Sequence, residues 1–201
     1  MKIVRYIAIA VAVVVALFLV TTLFLPTEVH VERSMVIEAS PETLYDFVDS
    51  YERFGEWSPW AELDPNMKVA LEGPESGVGH IQRWESVETG NGSQEIIETD
   101  APRMVKSRLD FGFGEPPVAT WVFAKAEGGT QATWSLDSTF ESDYIGRYFG
   151  LKLDDWVGTD YERGLAKLKE VAEAEQKKRD AEVAAAEPEA EAEQDATPAI
   201  D

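Results

Sequence analysis

From Ile7 to Leu25 the chain reads IAIAVAVVVALFLVTTLFL, nineteen residues without a charge and with only Thr21 and Thr22 as polar interruptions. As a helix rising about 1.5 Å per residue, this run reaches roughly 28 Å, close to the ~30 Å hydrocarbon thickness of a bilayer. Lys2 and Arg5 precede it, Glu28 and Glu32 follow it, and Pro26 marks the stop. The positive-inside bias then puts the N-terminus in the cytoplasm and everything after the run outside it. A cleavable signal peptide is the competing reading. Its apolar core is normally 7–15 residues and ends at a small-residue cleavage site. The core here is longer, and LFLPTEV offers no such site, so the run reads as an uncleaved single-pass anchor.

Charge divides the rest of the 201 residues, whose formal total is −20. Residues 1–26 carry +2, residues 27–179 carry −14, and residues 180–201 hold eight acids and no base. The expected organisation is an anchor over 1–26, a folded body over 27–178 and an acidic tail over 179–201. The tail, DAEVAAAEPEAEAEQDATPAID, has almost no bulky apolar residue. It cannot bury enough surface to offset ordering entropy and is expected to be disordered, with helix persisting as far as Pro188. Strong acidity argues against nucleic acid, because phosphate contacts need clustered Lys and Arg. The chain has no cysteine, which excludes disulfides, thiolate metal sites and cysteine nucleophiles.

Within the body the apolar period changes in an informative order. Residues 28–37 (EVHVERSMVI) read as a strand, and ASPETLYDFVDS shifts to helical spacing behind Ser40 and Pro41. YERFGEWSPW reads as a second short helix running into an aromatic loop. From Lys68 the period returns to two. GHIQRWESVE and SQEIIETD flank Asn91-Gly92, a type I′ hairpin signal, and Gly128-Gly129 separates a second strand pair. In MVKSRLDF, Val105, Ser107, Leu109 and Phe111 share one face. Ala132, Trp134 and Leu136 do the same on the last strand. About six such strands form an antiparallel meander with one wet face. A final helix is expected from a capping box at Thr159 and Glu162, with a stripe of Tyr161, Leu165, Leu168 and Ala172. That stripe must cover the apolar sheet face, and a curved sheet wrapped on one helix leaves a cavity between them.

Several words along the chain carry a family likeness: WSPWAELDPNM (57–67), EGPESGVG (72–79), the strand pair containing Trp84, FAKAEGGTQATWSL (123–136) and DYERGLAKLKEVAE (160–173). With the element order, they resemble the START-like or SRPBCC superfamily of polyketide cyclase/dehydrase and lipid-transport type. The likeness is greatest to its membrane-anchored bacterial branch and covers roughly residues 26–175. The resemblance implies an α+β helix-grip fold, a curved antiparallel sheet wrapped on a long C-terminal helix, here preceded by one transmembrane helix. It further implies an interior cavity for a lipid, sterol-like or polyketide-like ligand. It does not imply an enzyme, because many members only bind or carry.

Motifs for catalysis are sparse. The chain has no HExxH, no P-loop and no nucleophile elbow, and GFGEPP lacks the glycine spacing of a dinucleotide loop. No catalytic residue, metal ligand set or cofactor is assigned. Most acids read as a solvated face; Asp154, Asp155 and Asp160 could be read as a cation site, but Asp160 is better explained as complementing the final helix's N-terminus. Asn91-Gly92-Ser93 matches a glycosylation sequon that the turn alone explains. His30 and His80 are the two side chains with neutral-pH base character. His30 reads as solvated. His80 shares strand parity with Gln82 and Trp84, which would line a cavity mouth together if Trp84 faces inward. The aromatics are the stronger lead, since apolar pockets are lined mainly by such side chains. Trp57 and Trp60 flank Ser58-Pro59 and read as a lid or rim, Trp121 and Trp134 lie on regular strands as core or as ligand contacts, and Phe111 is a further candidate cavity residue.

The favoured function is therefore an anchored module on the outer, periplasmic face of a bacterial inner membrane. Its partners are the membrane and a hydrophobic small molecule. Two other readings stay open: a cyclase or hydratase acting on a polyketide-like or aromatic compound, and a ligand-free envelope interaction domain with a filled core. The sequence names no protein partner.

Overall fold

The computed structural model describes residues 2–64, 66–88 and 90–195, with side chains as far as Ala186. Helix α1 (Lys2–Thr22) is long and apolar enough to cross a membrane, and almost all of it is exposed. Strand β1 (Glu28–Ile37) follows. Helix α2 (Pro41–Val48) is capped by Ser40, whose hydroxyl accepts the Thr43 N–H, with Pro41 in the first turn. A 3₁₀ turn (Tyr51–Arg53) leads into one turn of α3 (Phe54–Trp57). Six strands then run as a meander: β2 (Lys68–Glu72), β3 (Ile81–Glu85), β4 (Gly92–Asp100), β5 (Met104–Asp110), β6 (Val118–Ala126) and β7 (Gly129–Thr139). Helix α4 (Gly146–Asp195) closes the chain.

All seven strands form one antiparallel sheet in the order β1-β7-β6-β5-β4-β3-β2, so the first strand returns to pair with the last. The register decides which side chains face inward. Val31, Leu136 and Ala119 form one buried row, and Trp134, Trp121 and Val105 form the next. Helix α4 answers with Tyr161, Leu165, Leu168 and Ala172, all buried. Removing each leucine from water contributes about 1.5–3 kcal/mol. Arg33 ties β1 to the same helix through Asp154 at 2.9 Å and Glu162 at 2.8 Å. This is the helix-grip architecture.

Three local expectations are corrected. Helix α4 begins at Gly146 rather than near Thr159. Asp143 caps it by accepting the Ile145 and Gly146 N–H groups, and the Thr159 hydroxyl instead donates back to the Asp155 carbonyl. Asp160 therefore lies in mid-helix, away from any helix N-terminus. Strands β3 and β4 pair as a hairpin, but β3 ends at Glu85 and β4 starts at Gly92, with Gly90 at φ +79°. Gly92 already belongs to β4 and pairs with Trp84. The acidic segment expected to be disordered falls partly outside the described residues, which end at Asp195.

Candidate functional site

The row Gln82–Gln94–Leu109 runs directly across β3, β4 and β5. Beyond it, Trp84 stands opposite Gly92. A Cβ on Gly92 would lie 2.4 Å from the Trp84 indole, so glycine is what lets this ring lie down across the neighbouring strand. Phe111 meets Trp84 edge-on at 6.0 Å. These side chains floor a cavity of about 220 Å³. Phe54, Trp60 and Met67 form one wall, and Trp156, Val157 and Asp160 of α4 form the other. Its surface is overwhelmingly apolar.

Polar groups at the cavity are few and mutually engaged. The Gln94 amide donates to Gln82 Oε1 at 2.7 Å, which leaves the Gln82 amide N–H groups and Gln94 Oε1 as the hydrogen-bonding faces of the floor. Asp160 accepts from Trp60 Nε1 at 3.2 Å and from Arg163, so both carboxylate oxygens already have donors. That leaves the site able to hold an apolar body and to read one polar end.

The sequence-predicted residues divide between this cavity and the core behind it. Trp60, Gln82, Trp84 and Phe111 line the cavity. Trp57, expected at a rim, is instead fully buried, and its indole donates to the Phe47 carbonyl at 3.1 Å. Its ring meets Trp121 and Trp134 edge-on at 5.4 and 5.5 Å, and Trp134 stacks on both Trp121 (4.5 Å) and Tyr161 (3.7 Å). Trp121 and Trp134 are thus core residues here. Trp60 meets Trp134 at 5.7 Å and forms the partition between the packed cluster and the open space.

His80 sits apart from the cavity and only 2% exposed. Its Nδ1 lies 2.6 Å from the Pro74 carbonyl, which only accepts, so Nδ1–H is the donor. Nε2 has no partner among the described residues. The ring stacks on Tyr51, whose hydroxyl pairs with Ser107 at 2.8 Å. Burial pushes the Tyr51 and Tyr161 phenols far above their ordinary values, so both stay neutral. His30 lies exposed on β1 beside Asp137. Sequence reasoning missed Trp156, Val157 and Asp160 as a wall, because the helix that carries them was expected to start later. Leu109 shares a face with Phe111, as the strand spacing predicts, and both line the cavity.

The geometry now meets the comparisons with known proteins. Residues 28–173 match the model of a family described as polyketide cyclase/dehydrase and lipid transport. The chain belongs to that family. No curated protein matches it. Among solved structures, a protein of unknown function from Staphylococcus aureus, SA2116, superposes with a TM-score of 0.57 at 16% identity, covering 75% of this chain and 96% of that one. The di-domain ARO/CYC StfQ from the steffimycin biosynthetic pathway gives 0.56 at 11% identity, over 74% of this chain and 52% of its own. The di-domain ARO/CYC BexL from the BE-7585A pathway gives 0.53 at 16%, over 73% and 50%. At these identities the likeness is one of fold. The cavity of this polyketide cyclase/dehydrase and lipid transport family member opens between the β3–β5 end of the sheet and α4.

Proposed function

We propose that the protein is a membrane-tethered START-like domain that binds or carries a hydrophobic small molecule, lipid or polyketide-like, in the cavity between the sheet and α4. The observation that carries this reading is the apolar cavity floored by the Gln82–Gln94 pair. Family membership supports the ligand class. Catalysis has less support, because among the described lining residues the one ionisable group, Asp160, is already committed to Trp60 and Arg163. At about 220 Å³ the space is smaller than the roughly 300–1,000 Å³ of common ligand pockets. It suits one ring system or a short acyl segment, with a carbonyl or hydroxyl meeting the glutamine amides. The tether is α1, and Lys2 and Arg5 in its first turns, ahead of the apolar run, favour a cytoplasmic N-terminus, with the folded domain on the outer face of a bacterial inner membrane.

Native mass spectrometry of the full chain released from nanodiscs tests the binding, together with titration of the fluorophore N-phenyl-1-naphthylamine. A co-purifying apolar mass and saturable fluorescence, both weakened in Gln82→Leu, are expected. An empty protein that takes up no fluorophore overturns the reading.

A further inference from the structure

Helix α1 does not stand free of the domain. Tyr148, on the first turn of α4, stacks on Phe18 with ring centroids 4.7 Å apart, and its hydroxyl donates to the Phe18 carbonyl at 2.9 Å. Arg147, buried, donates to the Thr22 carbonyl at 3.1 Å and also holds the carbonyls of Phe140 and Glu141. The Thr22 hydroxyl donates to the Tyr144 carbonyl in return. Phe18 precedes the end of α1 by four residues, or about 6 Å of helix rise. Tyr148 is therefore level with the apolar run rather than beyond it.

The residues beside Tyr148 then matter. Phe149 and Trp156 are seven positions apart, which at about 100° per residue puts them on one face of α4, and Ile145, the turn residue just ahead of the helix and four before Phe149, continues that line. They are 62, 57 and 55% exposed. Singly exposed apolar side chains are ordinary, but three in line beside an apolar span are a continuous surface. Lys152 shares the face, with a stem long enough to snorkel and an ammonium held by Asp155 at 3.0 Å. Trp156 is also part of the cavity wall.

We propose that Ile145 and the first turns of α4, as far as Trp156, form a lipid-contacting surface, with Ile145 and Phe149 among the acyl chains that surround α1 and Trp156 at the headgroup boundary. The cavity edge that Trp156 forms then faces the bilayer, and an apolar ligand passes between membrane and cavity without crossing water. Aromatic side chains favour that boundary, and the contact needs no basic patch, which suits an acidic body. The inference rests on the reading that α1 crosses a membrane.

A cysteine-free chain makes the test clean, because each introduced cysteine is unique. Nitroxide labels on Val13→Cys, Phe149→Cys and Lys178→Cys of the full chain, in phosphatidylcholine nanodiscs, are compared for collision with oxygen and with a water-soluble nickel chelate. Lys178 lies on α4 about 44 Å of helix rise from Phe149 and serves as the aqueous control. Oxygen is expected to dominate at positions 13 and 149, and the nickel chelate several-fold at 178. A label at 149 that behaves like 178 while 13 reports lipid overturns the surface but leaves the anchor. A label at 13 that also reports water overturns both.

Discussion

The space between sheet and helix has two ends that use the same kind of side chain differently. At the β7–β6 end, Trp57, Trp121, Trp134 and Tyr161 interlock at ring distances of 3.7–5.5 Å and leave no room. At the β3–β5 end, Trp84 on β3 and Phe111 just past the end of β5 also face inward yet border an open cavity. The difference is in what covers them. Helix α3 delivers Trp57 onto the first group, and α4 delivers Tyr161 at a point where Gly164 lets the helix approach: a Cβ there would lie 2.9 Å from the Trp134 ring. Among the described residues, nothing comparable descends on Trp84. Aromatic content alone does not make a pocket; coverage decides.

The largest expected effect breaks or upholds that contrast directly. Trp57→Ala removes a fully buried ring and its hydrogen bond to Phe47 and should cost about 3–5 kcal/mol of stability. Trp84→Ala, at a half-buried site facing the cavity, should cost roughly 1 kcal/mol while weakening fluorophore binding. Chemical denaturation of both variants measures this. Equal losses would mean that the cavity end is as tightly packed as the core, and the contrast would fail.

Filling the open end sharpens it. Leu109 lies half-buried on the cavity floor between Gln94 and Phe111. Leu109→Trp places the added volume in empty space, so stability should stay within about 1 kcal/mol, where overpacking a closed core costs about 1–3. Fluorophore affinity should fall by about tenfold or more, equivalent to about 1.4 kcal/mol. Unchanged affinity with intact stability would place the ligand elsewhere. The reciprocal change, Gly164→Leu, drives a side chain into Trp134 and Pro59 at the closed end and should destabilise by about 1–3 kcal/mol with lesser effect on the fluorophore.

This contrast explains how far the sequence could be read. Strand parity was legible because alternation is local: Val105, Ser107, Leu109 and Phe111 lie on one side as their spacing implies. The stripe from Tyr161 to Ala172 was legible for the same reason. Coverage is not local. Nothing around Trp57 announces that α3 turns it inward, and nothing around Trp84 announces that its facing strand carries a glycine for the indole to lie on. The missed cavity wall has its own cause. Residues 146–157 contain two glycines and several exposed apolar side chains, so they lack the single buried stripe by which a soluble helix is recognised. Asp143, the true cap, stands three residues ahead of the helix, whereas Thr159 and Glu162 fit a capping box but lie inside it.

The smallest effect concerns the outer face of the closed end, where the sheet meets water instead of α4. His30 on β1 stands directly opposite Asp137 on β7, with Nδ1 2.6 Å from the carboxylate and Glu32 3.6 Å from the other ring nitrogen. The hydrogen bond to Asp137, reinforced by its charge and by Glu32, raises the imidazole above its ordinary value. The charged form is thus favoured by folding. Its stabilisation is fully present below the unfolded imidazole value of about 6.5 and is lost as pH rises through the folded value. Because both partners are more than half exposed, the pair should contribute less than about 1 kcal/mol and weaken with salt. Wild type should therefore exceed His30→Gln slightly in stability at about pH 5.5, with the margin closing by about pH 8.5, and the His30 NMR titration should have its midpoint above about 6.5. A margin that instead widens with pH would mean that the neutral ring is the one the fold prefers, and that β1 and β7 are held at this end by packing on their inner faces alone.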